Sequence, residues 1–173
     1  MNKDKIKTED APDYQAFPPE ETPSDAKSHN DEIIKEALAI LDSRIRHGVD
    51  LNSPTAAKDY LRLKMSHYER EVFALLLLDN KHRVIEFINL FVGTLSSASV
   101  YPREVVKVVL QHNAAAVMLA HNHISHDALE PSQADKAITE RLIKALELID
   151  VRVIDHIIVA NTGTSSFAEM GLL

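Results

Sequence analysis

The sequence predicts a three-layered α/β domain, with helices on both sides of a mixed sheet. Three observations carry this. Continuous apolar runs such as Val72 to Leu78 and Ala115 to Ala120 have the length of buried strands. Other segments open with helix-start signals, notably Ser53-Pro54, Pro102 and Ser132 after Pro131. The two kinds mix along the chain in the order expected of one sheet covered by helices.

The elements follow in order. Residues 1–30 hold seven acids and four lysines, few apolar residues, and Pro12, Pro18, Pro19 and Pro23. That composition predicts a disordered arm. From Asp31 to about His47, Ile33, Ile34, Ala37, Leu38, Ile40, Leu41 and Ile45 fall at helical spacing, and Gly48 marks a stop. Residues 31–50 are therefore an amphipathic helix that packs on the domain or on a partner chain. Ser53 caps a helix running to about His67. Glu71 to Leu78 is a strand, and Asp79-Asn80-Lys81-His82 turns into a second strand from Arg83 to about Phe91. Pro102 opens a helix to about His112. The Ala115–Ala120 strand follows, then a helix from Ser132 to about Leu148. Val151 to Ala160 is a long strand and Ser165–Ala168 a short last one. Residues 53–173 make the domain.

Composition narrows the function classes. With 173 residues there is room for one domain with a core, plus extensions. There is no cysteine, which excludes a disulfide framework, a thiolate metal site and a cysteine nucleophile. The net charge is −7, of which the arm contributes −3, leaving −7 − (−3) = −4 for the remainder. Nucleic-acid-binding domains are usually basic, so charge does not support DNA as a partner. The N-terminus shows no apolar secretory segment and no run has the length of a membrane span. A cytoplasmic location is expected.

The candidate chemistry lies after the Ala115–Ala120 strand. Side chains alternate along a strand, so His121 and His123 point to one side and Asn122 to the other. Two imidazoles on one side can grip a single metal ion. Zinc in a catalytic site takes three protein ligands and leaves a fourth position for water. Asp135, in the first turn of the following helix, is the candidate third ligand. A plainer reading stands beside this one. Ser132-x-x-Asp135 is close to a capping box, and two histidines near a strand end can be ordinary loop residues.

The joint spacing His-x-His-x(8)-Ser-x(2)-Asp, carried by His121, His123, Ser132 and Asp135, resembles the JAMM (MPN-type) metallopeptidase motif. From about Ser53 to the end the chain resembles the RadC family. Gly93-Thr94-Leu95, Ser99-Val100, Pro102-Arg103-Glu104-Val105-Val106, Asp155-His156-Ile157-Ile158-Val159, Ser166-Phe167-Ala168-Glu169 and Gly171-Leu172-Leu173 carry the likeness. The resemblance implies a three-layered, cytidine-deaminase-like JAMM/MPN domain. It implies a zinc-dependent hydrolase acting on a peptide or isopeptide bond, with Zn²⁺ held by His121, His123 and Asp135. It also implies Glu71, at the head of the strand before the hairpin, as general base, and Ser132 as a donor to the developing oxyanion. Glu69, two residues away on an extended chain, is the fallback base. Asp155-His156 is expected to form a buried hydrogen-bonded pair orienting the loop, or a contact behind the metal ligands. Arg103 and Glu104 are expected to be structural, and His126 a solvated loop residue.

The chain departs from the family's usual His-Asn-His-Pro-Ser-Gly-Asp-Pro. It has Ile124, His126 and Ala128 where two prolines and a glycine are usual, and Tyr101 where a histidine usually precedes Pro-Arg-Glu. The helix-hairpin-helix region common in RadC proteins is not found in this sequence. These departures sustain two rivals to the hydrolase: an accessory protein of DNA repair or mobile elements without turnover, and a metal-dependent nuclease.

One expectation concerns the arm alone. A chain truncated to begin at Asp31 should melt with the full-length protein, because the arm cannot bury enough apolar surface to offset its ordering entropy. A clearly lower midpoint would show that the arm packs on the domain.

Overall fold

The computed structural model describes residues 23–46, 53–93, 100–124 and 129–173. Four helices and five strands follow in the order α1 (Pro23–Arg46), α2 (Pro54–Met65), β1 (Val72–Leu78), β2 (Val84–Val92), α3 (Pro102–Gln111), β3 (Ala116–Asn122), α4 (Gln133–Glu147), β4 (Arg152–Ala160) and β5 (Gly163–Ser166). The strands form one mixed sheet in the order β2-β1-β3-β4-β5. β3 and β4 are parallel, joined by α4 as the crossover, and the other neighbours are antiparallel.

The three layers follow from β1, whose seven residues are all buried. Val72, Ala74, Leu76 and Leu78 face one side, against Tyr60, Leu61 and Met65 of α2. Phe73, Leu75 and Leu77 face the other, against Val105 and Val109 of α3 and Leu142 and Leu146 of α4. A strand covered on both faces has no polar positions, hence the unbroken apolar run. The expected helix starts are present. Ser53 accepts the Ala56 N–H at 3.1 Å, and Pro54 and Pro102 open their helices. At the hairpin, Asp79 Oδ1 accepts the N–H groups of Lys81 and Arg83. Arg103 and Glu104 form a surface ion pair at the start of α3.

Several boundaries move. α1 begins at Pro23, so the last part of the expected arm is helix, and residues 1–22 lie outside the described residues. β3 runs two residues further than expected and takes His121 and Asn122 into the ladder. β5 lies at Gly163–Ser166, earlier than expected, and Ser166 leads into the final turns. Gly93, with its His121-side neighbour β1, closes the sheet end: at φ 141° it donates its N–H to Glu71 C=O at 2.8 Å.

β4 carries an irregularity that decides what it presents. Val117 of β3 pairs with Val153, but Met118 pairs with Asp155, so Ile154 is an extra residue, a β-bulge. Val153 packs on the α3/α4 side, while Ile154 and Ile157 pack on the α2 side. The bulge reverses the alternation and puts His156 opposite Leu119, beside His121.

The expected Asp155-His156 pair is buried and hydrogen-bonded, but through the His156 main chain and not its ring; the ring instead meets His121, the expected contact behind the candidate ligands. Asp155 Oδ1 accepts the main-chain N–H groups of His156 and Ala168, and Oδ2 accepts the Ser166 hydroxyl at 2.6 Å. The buried carboxylate thus ties the C-terminal turns to β4. Asp155→Ala strands three donors and should cost roughly 3 kcal/mol. Urea unfolding of the variant reads this directly; an unchanged midpoint would mean that water replaces all three bonds.

Candidate metal centre

The site lies at the C-terminal end of β3, where α4 begins. His121 is the penultimate residue of β3 and fully buried; His123 follows the strand and is partly buried. His123 N–H donates to Val159 C=O at 2.8 Å, so β4 still guides the chain beyond the assigned strand. Asp135 sits in the first turn of α4 and is 1% exposed.

Both readings of Ser132 and Asp135 meet in one arrangement. Ser132 caps α4: Asp135 N–H donates to Ser132 Oγ at 3.1 Å, and Ser132 N–H donates to Asp135 Oδ2 at 2.8 Å. The Ser132 hydroxyl donates to the same Oδ2 at 2.7 Å. The box uses one carboxylate oxygen and leaves the other. Among the described residues, Asp135 Oδ1 is the buried side-chain polar atom without a hydrogen-bond partner.

That bare oxygen lies 3.4 Å from His121 Nε2, which lies 2.9 Å from His123 Nε2. His123 Nε2 is 3.9 Å from Asp135 Oδ2. Ligand atoms around a tetrahedral zinc stand about 3.3 Å apart, given bond lengths near 2.0–2.2 Å. Burial pushes the His121 imidazole down to about 4, against the upward pull of the Asp135 charge, and nearby His123 lowers it further. His121 is therefore neutral at ordinary pH and makes no ion pair with Asp135. Two imidazole nitrogens and a carboxylate oxygen converge, with at most one proton shared between the nitrogens. A divalent cation held there would replace that proton and also satisfy the carboxylate. These three residues could hold a metal ion.

Glu71 immediately precedes β1. Phe73, two residues on, pairs with His121, where the ladder between β1 and β3 ends. The Glu71 main chain is fixed from both sides. Asn122 Oδ1 accepts Val72 N–H at 2.7 Å, and Asn122 Nδ2 donates to Arg70 C=O at 3.1 Å. Glu71 itself is partly buried, whereas Glu69 lies in an exposed bend before the strand. Tyr101 is half exposed with its ring edge-on to Phe91, away from a ligand role. Ile124 borders the site; His126, Asp127 and Ala128 lie outside the described residues. A cleft of about 160 Å³ opens beside His123, lined among others by Arg62, Met65, Tyr68 and Asn122.

Two residues behind the ligands were not singled out from sequence for what they do here. Asn122 was placed only as facing away from the histidines, and it is the clamp on Glu71. Thr139 was overlooked: its hydroxyl lies 2.6 Å from both Asp135 C=O and His156 Nδ1. The signal was a polar residue four positions after Asp135, on the face of α4 that otherwise buries Leu142 and Leu146.

Comparison with known proteins identifies the family. The model of the RadC-like JAB domain matches residues 51–172. The chain belongs to the RadC family. A UPF0758 protein of Vibrio cholerae is 60% identical over 142 residues, covering 82% of this chain and 89% of that protein. The UPF0758 protein YfjY of Escherichia coli K12 is 53% identical over 141 residues, covering 81% and 88%. A UPF0758 protein of Aeromonas hydrophila is 56% identical over 133 residues, covering 77% of this chain but 59% of that longer protein. No helix among the described residues is long and apolar enough to cross a membrane.

The site predicts an acid sensitivity for the metal-free protein. His121 has its value lowered in the folded state, and so does His156, chiefly by burial. The unfolded chain therefore takes up protons first as the pH falls. This contribution to stability is fully present above the ordinary value near 6.5 and is lost as the pH drops toward 4. At full extent it is roughly 3 kcal/mol for His121. Thermal midpoints of chelator-treated protein should fall steadily from neutral to acidic pH; a flat profile would show that the imidazoles charge in place.

Proposed function

We propose that this RadC-family protein is a zinc-dependent hydrolase of the JAMM type, cleaving a peptide or isopeptide bond. The observation that carries the reading is the bare, buried Asp135 Oδ1 facing His121, with His123 beside them and Glu71 two residues before Phe73, which pairs with His121. The donor set suits zinc: two imidazoles and one carboxylate, with no thiolate available anywhere in the chain. When bound, the ion supplies a Lewis acid and brings the pKa of a water it holds toward neutrality.

The chain's own residues supply the rest. Glu71 accepts a proton from the attacking water and passes it to the leaving amine. Asn122 keeps Glu71 in place through the backbone on either side of it. Ser132 steadies Asp135 through the capping box. Its hydroxyl proton is committed to Asp135 Oδ2, so the family's oxyanion role would require it to swing away from that bond.

The purified protein should bind about one zinc per chain by this reading, and His121→Ala or His123→Ala should abolish it. Absence of metal after reconstitution, measured by elemental analysis, would sink the metal centre. Glu71→Gln should retain zinc yet lose roughly 10²–10⁴-fold in turnover, because an amide accepts no proton. Asp135→Asn should instead weaken the metal, and Glu69→Gln should do little. The assay needs a substrate, found by screening peptide and isopeptide-linked libraries beside DNA substrates. Cleavage unaffected by Glu71→Gln and abolished by Glu69→Gln would move the base by two residues. If neither matters, the accessory reading is the better one.

A further inference from the structure

Behind the site, four groups on three elements form an unbroken line. Asp135 C=O lies 2.6 Å from Thr139 Oγ, which lies 2.6 Å from His156 Nδ1. His156 Nε2 lies 2.8 Å from His121 Nδ1. Both histidines and Thr139 are buried, so no solvent competes for these contacts.

The direction of every bond in this line follows from its first member. A carbonyl oxygen only accepts, so the Thr139 hydroxyl gives its single proton to Asp135 C=O. Were that proton turned toward His156, two oxygens would face each other at 2.6 Å with nothing between them. Thr139 Oγ therefore accepts, and His156 Nδ1 carries the N–H. A neutral imidazole has one N–H, so His156 Nε2 is a bare lone pair. It accepts from His121 Nδ1, which must carry the proton. The bare nitrogen of His121 is then Nε2, the atom that faces His123 and Asp135. Both rings are fully buried, and burial disfavours the charged form of an imidazole.

We infer that Thr139 and His156 are positioning residues that lock His121 in the tautomer with its Nε2 lone pair presented to the metal. This rests on the metal-centre reading above only for its purpose; the tautomer itself is a property of the metal-free chain. A metal-binding histidine needs its other nitrogen occupied by an acceptor, usually a carbonyl, carboxylate or water. Here the acceptor is a second neutral imidazole, which orients the ligand without adding negative charge behind it. The line also ends on the main chain of Asp135, itself a ligand candidate. The β3 ligand and the α4 ligand are thus set against each other by one chain of hydrogen bonds. The His156 ring is held for this task between Phe167, stacked at 4.6 Å, and Phe73, edge-on at 5.6 Å.

The test begins on the metal-free wild-type protein, with ¹⁵N-labelled histidine and imidazole resonances read by NMR. His121 and His156 should both appear as Nδ1–H tautomers with bare Nε2; an Nε2–H tautomer at either would overturn the inference, whether or not zinc ever binds. Thr139→Val keeps the shape and removes the hydroxyl, and should release His121 into a tautomer mixture. Zinc affinity, measured by competition with a chelating dye, should fall roughly 10–100-fold in Thr139→Val. Thr139→Ser, which restores the hydroxyl, should recover both readouts. Thr139→Val with wild-type tautomers and wild-type affinity would refute the role. Wild-type protein with the expected tautomers but no zinc affinity would refute the metal centre and leave the lock standing.

Discussion

A buried carboxylate with one oxygen satisfied and the other bare is the constraint around which this site is built. Asp135 Oδ2 takes two hydrogen bonds from Ser132 while Oδ1 takes none. An unpaired buried polar atom costs free energy, and a buried charge costs more. The fold tolerates this because the capping bonds hold the carboxylate and stabilise the start of α4. The remaining deficit faces two imidazole nitrogens, and it is the kind that a cation removes. Helix capping and metal binding are thus not alternatives for Ser132-x-x-Asp135. The cap turns one oxygen inward and so leaves the other where a ligand is wanted.

The histidines reach that oxygen through the sheet rather than through a loop. His121 is inside β3, paired to Phe73 on one side and Ile158 on the other. His123 is still bonded to Val159. The departures from the usual family loop begin at Ile124, after the second histidine has been placed. They leave the hydrogen bonds that position the ligands untouched. Asn122, between the histidines, spends its side chain on Arg70 and Val72. One tripeptide therefore aims two imidazoles to one face and anchors the strand entry carrying Glu71 from the other.

Much of this was legible in the sequence. The apolar run at Val72–Leu78 announced a strand buried on both faces, and Ser53-Pro54 and Pro102 announced helix starts. The His-x-His spacing put two imidazoles on one side because a strand has period two. The Ser132–Asp135 spacing pointed to both the cap and the ligand without choosing between them. These signals are local, set by residues close together in the chain, and local geometry is what a sequence carries most directly.

What the sequence did not disclose depends on contacts between distant segments. Strict alternation along β4 would have sent Asp155 toward the site and His156 away from it. The bulge at Ile154 reverses this, and it exists because β3 and β4 settle into a register that neither strand specifies alone. Thr139 reads as a slightly polar position on an apolar helix face until α4 is docked against His156. The unsatisfied oxygen of Asp135 is likewise invisible before the helix is buried, since in water that atom would be hydrated. The elements, their caps and the faces shared within an unbroken strand or helix are local and could be read along the chain. Only the packed structure decided which polar groups lose water, and it is the loss of water that makes the histidine line and the bare carboxylate oxygen matter.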